Sequence, residues 1–125
     1  MTQLNILATG QSPDFYSISG EVITAHHGGV SEQYDLSGFP EGGVSQGADP
    51  VDGVPAIRNV TREDGVLKVT LCQQVGPGHW TESGWMDAAQ YDPDAVHVKQ
   101  DTSKPHSGKA WAKTRQGKAY INEPV

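Results

Sequence analysis

The stretch from Phe15 to Leu71 constrains the fold more than any other, because it reads as two β-hairpins joined by a polar, Gly- and Pro-rich loop. In the first, Tyr16–Ser19 and Glu21–Ala25 pair around Gly20, His26–Gly29 supplies the turn, and Val30–Leu36 returns antiparallel. Gly28 and Gly29 accept positive φ at no steric cost, as a tight turn requires. In the second, Ala56–Arg62 and Val66–Leu71 flank Glu63-Asp64-Gly65. An Asp-Gly pair between alternating runs is the strongest short-range hairpin signal. Leu67, Val69 and Leu71 share one face and Lys68 and Thr70 the other, so this strand is expected to turn its polar face to water or a partner.

The rest of the chain fits the same fold class. Residues 3–9 alternate, with Leu4, Ile6 and Ala8 on one face, and read as a strand rather than a signal peptide, since no basic start precedes them. Residues 37–55 read as one long loop. After Val75 the pattern weakens: Gly76-Pro77-Gly78 breaks the strand, and one helical turn containing Met86, Ala88 and Ala89 is expected within 81–90. Strands are expected at Ala95–Lys99 and Lys118–Asn122, while Lys109–Lys113 fits helix or strand. The sequence therefore predicts a mainly β protein, antiparallel hairpins forming a small sandwich or open barrel, with long loops and little helix. Apolar residues make up 35% of the 125, and the 15 Gly bring the share close to the usual value of about 45–50% counted with Gly, but Gly contributes little burial. A thin core, helped by oligomerisation, is the expectation.

Charge divides the chain. Residues 1–95 hold three basic residues against thirteen acidic ones, and residues 96–125 hold six basic against two acidic. The organisation expected is a β domain over 1–99 and a basic C-terminal segment over 100–125, packed on the body or on a neighbouring subunit. A net charge of −6 opposes phosphate at long range, and no nucleic-acid motif accompanies the basic residues, so nucleic acid is not an expected partner. No segment approaches the roughly 18 apolar residues of a membrane-spanning helix. The lone cysteine, Cys72, permits no intrachain disulfide and reads as a small half-buried apolar residue.

Two boxes stand out: Tyr34-Asp35-Leu36-Ser37-Gly38-Phe39-Pro40-Glu41-Gly42, and Thr61-Arg62-Glu63-Asp64-Gly65-Val66-Leu67-Lys68-Val69-Thr70-Leu71, followed by Gly76-Pro77-Gly78. In the first, Ser37 to Gly42 end and turn the strand, and Phe39 folds back over the sheet. Over roughly residues 15–80 this order resembles a group of small tailed-bacteriophage and prophage proteins of unassigned biochemical function, which sit with tail and tail-fibre genes. The chain departs from that pattern in its first turn, His26-His27-Gly28-Gly29 in place of an Asn-Gly type, and in the polar Cys72-Gln73-Gln74. The resemblance implies a virion tail, or host cytoplasm during assembly, as the setting. It implies a structural or assembly role without catalysis, with partners that are further copies of the chain or a tail protein.

No residue pattern states a reaction. The five histidines, His26, His27, His79, His97 and His106, show no metal-binding spacing and read as solvated turn residues. Neither metal nor cofactor is expected. Asp87, Asp92 and Asp94 lack the full calcium-loop pattern, and Asp92-Pro93-Asp94 reads as a capped turn. Trp80, Trp85 and Trp111, with Tyr91, are the residues suited to contact a ligand or partner. They fill a core or a subunit interface, or, as the rival reading, stack on host glycans.

Overall fold

Four two-residue turns, Gly20-Glu21, Gly28-Gly29, Asp64-Gly65 and Arg115-Gln116, set the strand hairpins. The computed structural model describes residues 1–121. Strands β2 (Phe15–Ser19), β3 (Val22–His27) and β4 (Val30–Asp35) form a three-stranded sheet in that order. The β3–β4 turn is Gly28-Gly29 alone, with φ of 58° and 82°, and His27 pairs with Val30. His26 and His27 therefore belong to β3, and the expected four-residue turn is corrected to two. Two positive φ values in a row give the turn whose twist matches the flanking strands.

A five-stranded sheet packs against the first. Its order is β5 (Val44–Ser45), β6 (Asn59–Glu63), β7 (Val66–Gln74), β1 (Thr2–Thr9) and β9 (Met86–Asp87). Asp64 and Gly65, at φ of 51° and 78°, turn β6 into β7 as the Asp-Gly pair predicts. β1 and β7 run parallel, from Thr2 opposite Leu67 to Thr9 opposite Gln74. That pair was not among the expected hairpins, because alternation reports which face is buried and not which way a neighbour runs. Flanked on both sides, β7 is also longer and more buried than expected: Thr70, Cys72 and Gln73 are buried along with Leu67, Val69 and Leu71. The polar face assigned to water or a partner is covered at Thr70, and only Lys68 remains half-exposed.

The core lies between the two sheets, with Leu4, Ile6, Val60, Leu67, Val69 and Leu71 from one and Tyr16, Ile23, Ala25 and Tyr34 from the other. The arrangement is sandwich-like, and the sheets do not close into a barrel. The expected 37–55 loop is more structured than its composition suggests. It contributes β5, and Val51 and Val54 pair across Asp52-Gly53 in a miniature hairpin whose two valines are buried. Phe39 packs against the core from the first box.

The second half deviates most. Met86 is in β9 rather than in a helical turn, which is limited to a 3-10 turn at Ala88–Gln90. The strand expected at Ala95–Lys99 is reduced to β10 (Lys99–Gln100), paired with β8 (Trp80–Thr81). The reason is that the His97 and Val98 N–H groups donate to the side-chain oxygen of Gln73 instead of to a strand. The ambiguous Lys109–Lys113 run resolves as β11 (Trp111–Thr114), in a hairpin with β12 (Gly117–Tyr120). Asn122, the end of the last expected strand, lies outside the described residues. The hairpin docks on the body: Val75 bridges Ala112, and Ala110, Ala112 and Thr114 are buried. Among the described residues no helix is long and apolar enough to cross a membrane.

Candidate functional site

The two sequence boxes meet in space. Arg62 on β6 donates to the carbonyls of Phe39 (2.6 Å) and Leu36 (3.3 Å) and grips both oxygens of Glu21 at 2.9 Å. Glu41 answers from the first box. Its two oxygens accept the backbone N–H groups of Gly65 (2.7 Å) and Asp64 (2.9 Å), and the Gly42 N–H donates to the Arg62 carbonyl. A planar guanidinium matched to a carboxylate and a carboxylate seated on two N–H groups are charge-assisted and geometrically specific. Hydrogen bonding to Arg62 holds the Glu21 carboxyl below its usual range. The box residues are thus consumed in fixing one hairpin to the other.

A polar seam lines the inner end of β7. β6 stops opposite Thr70, so the N–H groups beyond need other partners. Cys72 N–H donates to the Tyr16 hydroxyl (3.1 Å) and Gln74 N–H to the Ser12 hydroxyl (2.8 Å). The Tyr16 hydroxyl itself donates to the Ala56 carbonyl at 2.7 Å. Gln73 uses its whole amide: the NH₂ donates to the carbonyls of Ala95 and Lys113, and the oxygen accepts from His97 and Val98. Burial pushes the Tyr16 phenol well above its ordinary value and the Cys72 thiol up as well, so both are neutral and protonated near pH 7. The cavity beside them, bounded by Ser12, Tyr16, Cys72 and Tyr91, is about 10 Å³, room for a single water. It does not admit a substrate.

Exposed chemistry gathers instead on the outer face of the three-stranded sheet. Ser17, His26 and Ser31 sit side by side on its three strands, with His26 Nε2 2.7 Å from Ser17 Oγ and Nδ1 2.9 Å from Ser31 Oγ. Phe15 stacks on His26 with ring centroids 4.4 Å apart. A serine within reach of a histidine is the geometry of an activated nucleophile, but here the second ring nitrogen meets a neutral hydroxyl where a triad would place a carboxylate. The row acts as a rung that ties β4 through β3 to β2. Sequence reading missed it, and its signal was available: His26 pairs with both Phe15 and Ser31 once the turns are fixed.

The same sheet carries an open edge. Tyr91 covers the β2 side at Tyr16, its hydroxyl accepting the Tyr16 N–H. Burial pushes that phenol up to about 12. β4 lies at the other end and, among the described residues, has no strand beyond it. Val30, Ser31, Glu32, Gln33 and Asp35 are exposed along it. The five-stranded sheet, by contrast, ends on both sides in strands of two residues.

The four aromatic residues singled out in the sequence do not form one platform. Trp80 and Trp111 both pack around the 76–78 turn: Trp80 Nε1 donates to the Gly76 carbonyl, and a Cβ at Gly76 would collide with the Trp111 indole. Tyr91 lies between Tyr16 and His97. Trp85 stands apart, 48% exposed, with Lys68 over its ring. Asp87 caps the 3-10 turn, Asp92 caps the turn at Asp94, and Asp94 pairs with Arg115 at 2.7 Å. Among the described residues no three histidine, cysteine or acidic side chains are grouped to hold a metal. The basic segment is partly neutralised within the chain, since Lys113 pairs with Asp14 at 2.8 Å. Against the upward push of burial, Lys113, the Gly28 N–H and His27 hold the Asp14 carboxyl below its usual range.

No protein-family model, curated protein or solved structure matches this chain.

Proposed function

We propose that this protein is a non-enzymatic structural or assembly component of a phage or prophage tail, acting through protein–protein contacts. The observation that carries the contact reading is the β4 edge: a six-residue strand, five of its residues exposed, at the end of the three-stranded sheet, where the five-stranded sheet ends in strands of two residues. An unpaired row of backbone donors and acceptors is a template for another strand. The tail setting rests on the resemblance of the two boxes. Their interlocking through Arg62 and Glu41 explains why such boxes would occur together without any ligand. The charge division lends less support than the sequence suggested, because Lys113 and Arg115 find acidic partners in their own chain.

The test is the solution mass of the pure protein by light scattering, alone and mixed with purified tail proteins. Self-association or a stable mixed complex is expected. A protein that remains monomeric at high concentration and binds no tail protein refutes the reading.

One observation favours glycan contact as a second reading. Trp85 presents an exposed indole beside Lys68, and indoles stack on sugar rings. Trp80 and Trp111, committed to the 76–78 turn, add little to it. Saturation-transfer NMR with host-surface oligosaccharides, comparing the parent with Trp85→Ala, decides this reading.

A further inference from the structure

We propose that β4 pairs antiparallel with β4 of a second copy across a two-fold axis centred on Gln33, joining two three-stranded sheets into one of six strands. The inference rests on the protein-contact reading and names the partner.

The hydrogen-bond phase of the hairpin identifies the groups available. A two-residue turn makes its flanking pair, His27 and Val30, a hydrogen-bonded one, and the phase alternates along the ladder. Ala25–Glu32 and Ile23–Tyr34 are then hydrogen-bonded too, which agrees with the Leu36 N–H donating to the Glu21 carbonyl one step further on. The backbone groups of Ser31, Gln33 and Asp35 consequently face outward. Among the described residues no hydrogen bond reaches them.

Charge and the number of pairs formed together select the register. With Gln33 opposite Gln33 of the second copy, Ser31 faces Asp35 and Glu32 faces Tyr34, so no carboxylate lies directly opposite another. All three outward residues then exchange hydrogen bonds with the second copy. Centring on Asp35 would oppose two aspartates, which is destabilising. Centring on Ser31 would push the chain past the Gly28-Gly29 turn and lose pairs. The Ser17–His26–Ser31 rung holds the edge strand to its sheet in advance, which reduces the ordering cost of pairing. One short strand edge makes a small interface, so association is expected to be weak and concentration-dependent.

Sedimentation of the pure protein between roughly 1 µM and 1 mM, the range of a small transient interface, is expected to show a shift from one copy to two. Gln33→Pro removes an outward N–H and leaves the β3 ladder intact, since proline is tolerated on an edge. It should stay monomeric across the same range while melting like the parent. A second variant does not depend on proline being accommodated: Gln33→Cys places two thiols near the axis, about 5.5 Å apart between Cα atoms in a hydrogen-bonded pair. A short bis-maleimide should give a covalent dimer from Gln33→Cys and none from Ser103→Cys, with little background from Cys72, which is 3% exposed. A parent that stays monomeric, a Gln33→Pro variant that dimerises as the parent does, or a Gln33→Cys variant that fails to cross-link overturns the β4 pairing. If self-association or tail binding persists in those cases, the contact reading stands on another surface; if both are absent, it falls too.

Discussion

Tyr16→Phe removes one oxygen from a ring that is 3% exposed and leaves its packing in place. Among the described residues that oxygen is the one partner of the Cys72 N–H, and it supplies the donor to the Ala56 carbonyl. The variant therefore leaves two buried backbone groups unpaired, at about 1–3 kcal/mol each. The neighbouring 10 Å³ cavity offers a route for a water to move into the vacated position and recover part of the loss. The expected net cost is about 2–3 kcal/mol, a large fraction of the roughly 5–15 kcal/mol that holds a domain folded. With a urea slope of about 2 kcal/mol per molar, the midpoint should fall by about 1–1.5 M at unchanged slope. Tyr34→Phe is the control. Its hydroxyl donates at 2.5 Å to the carbonyl of Asp49, an exposed loop residue that water can serve instead, so its cost should stay below about 1 kcal/mol. Equal losses in the two variants, or a Tyr16→Phe loss below about 0.5 kcal/mol, would refute the assignment of Tyr16 as the partner of β7.

Three further outcomes are expected. Gly65→Val should destabilise by about 1–2 kcal/mol or more from backbone strain alone, because a Cβ there meets nothing within 4 Å; a thermal melt matching the parent would contradict the Asp64-Gly65 turn. Gln73→Met keeps the side-chain length but orphans the N–H groups of His97 and Val98, and amide exchange there should accelerate far more than in β1. Stability should decline on acidification: Asp14, Glu21 and Asp94 have folded pKa values below their ordinary 3.8, 4.5 and 3.8, so the unfolded chain takes up protons first. Their contribution is complete above about pH 5 and disappears as pH drops through the lowered values, which urea midpoints between pH 6 and 3 would register.

How much was legible depended on whether the signal was local. Asp64-Gly65 announced its turn because the dipeptide itself prefers the positive φ that the turn needs. The same dipeptide at Asp52-Gly53 was overlooked, since only one valine stands on either side, yet it forms the same kind of turn and buries both. Strand direction was not legible: β1 and β7 each alternate correctly, but their parallel pairing depends on where some 55 intervening residues lead the chain. Gln73 was silent for a related reason. Its type and position mark only a polar residue near a strand end, and the tertiary structure reveals that it replaces a strand for residues 95–98.

The candidate surface illustrates the opposite limit. Its residues, Ser17, His26, Ser31 and Gln33, are ordinary one by one, and none belongs to a chemical motif. They become meaningful through register: two tight turns align His26 with its neighbours and point the Gln33 backbone outward. The conspicuous residues behave the other way. Arg62, Glu41 and Trp111 attract notice by type and motif, and each is occupied in holding the fold. Where strong interactions tie loops and hairpins together, the outward backbone of an edge strand is the group left for the proposed contact. Function is therefore expected at the β4 edge rather than at the most distinctive side chains.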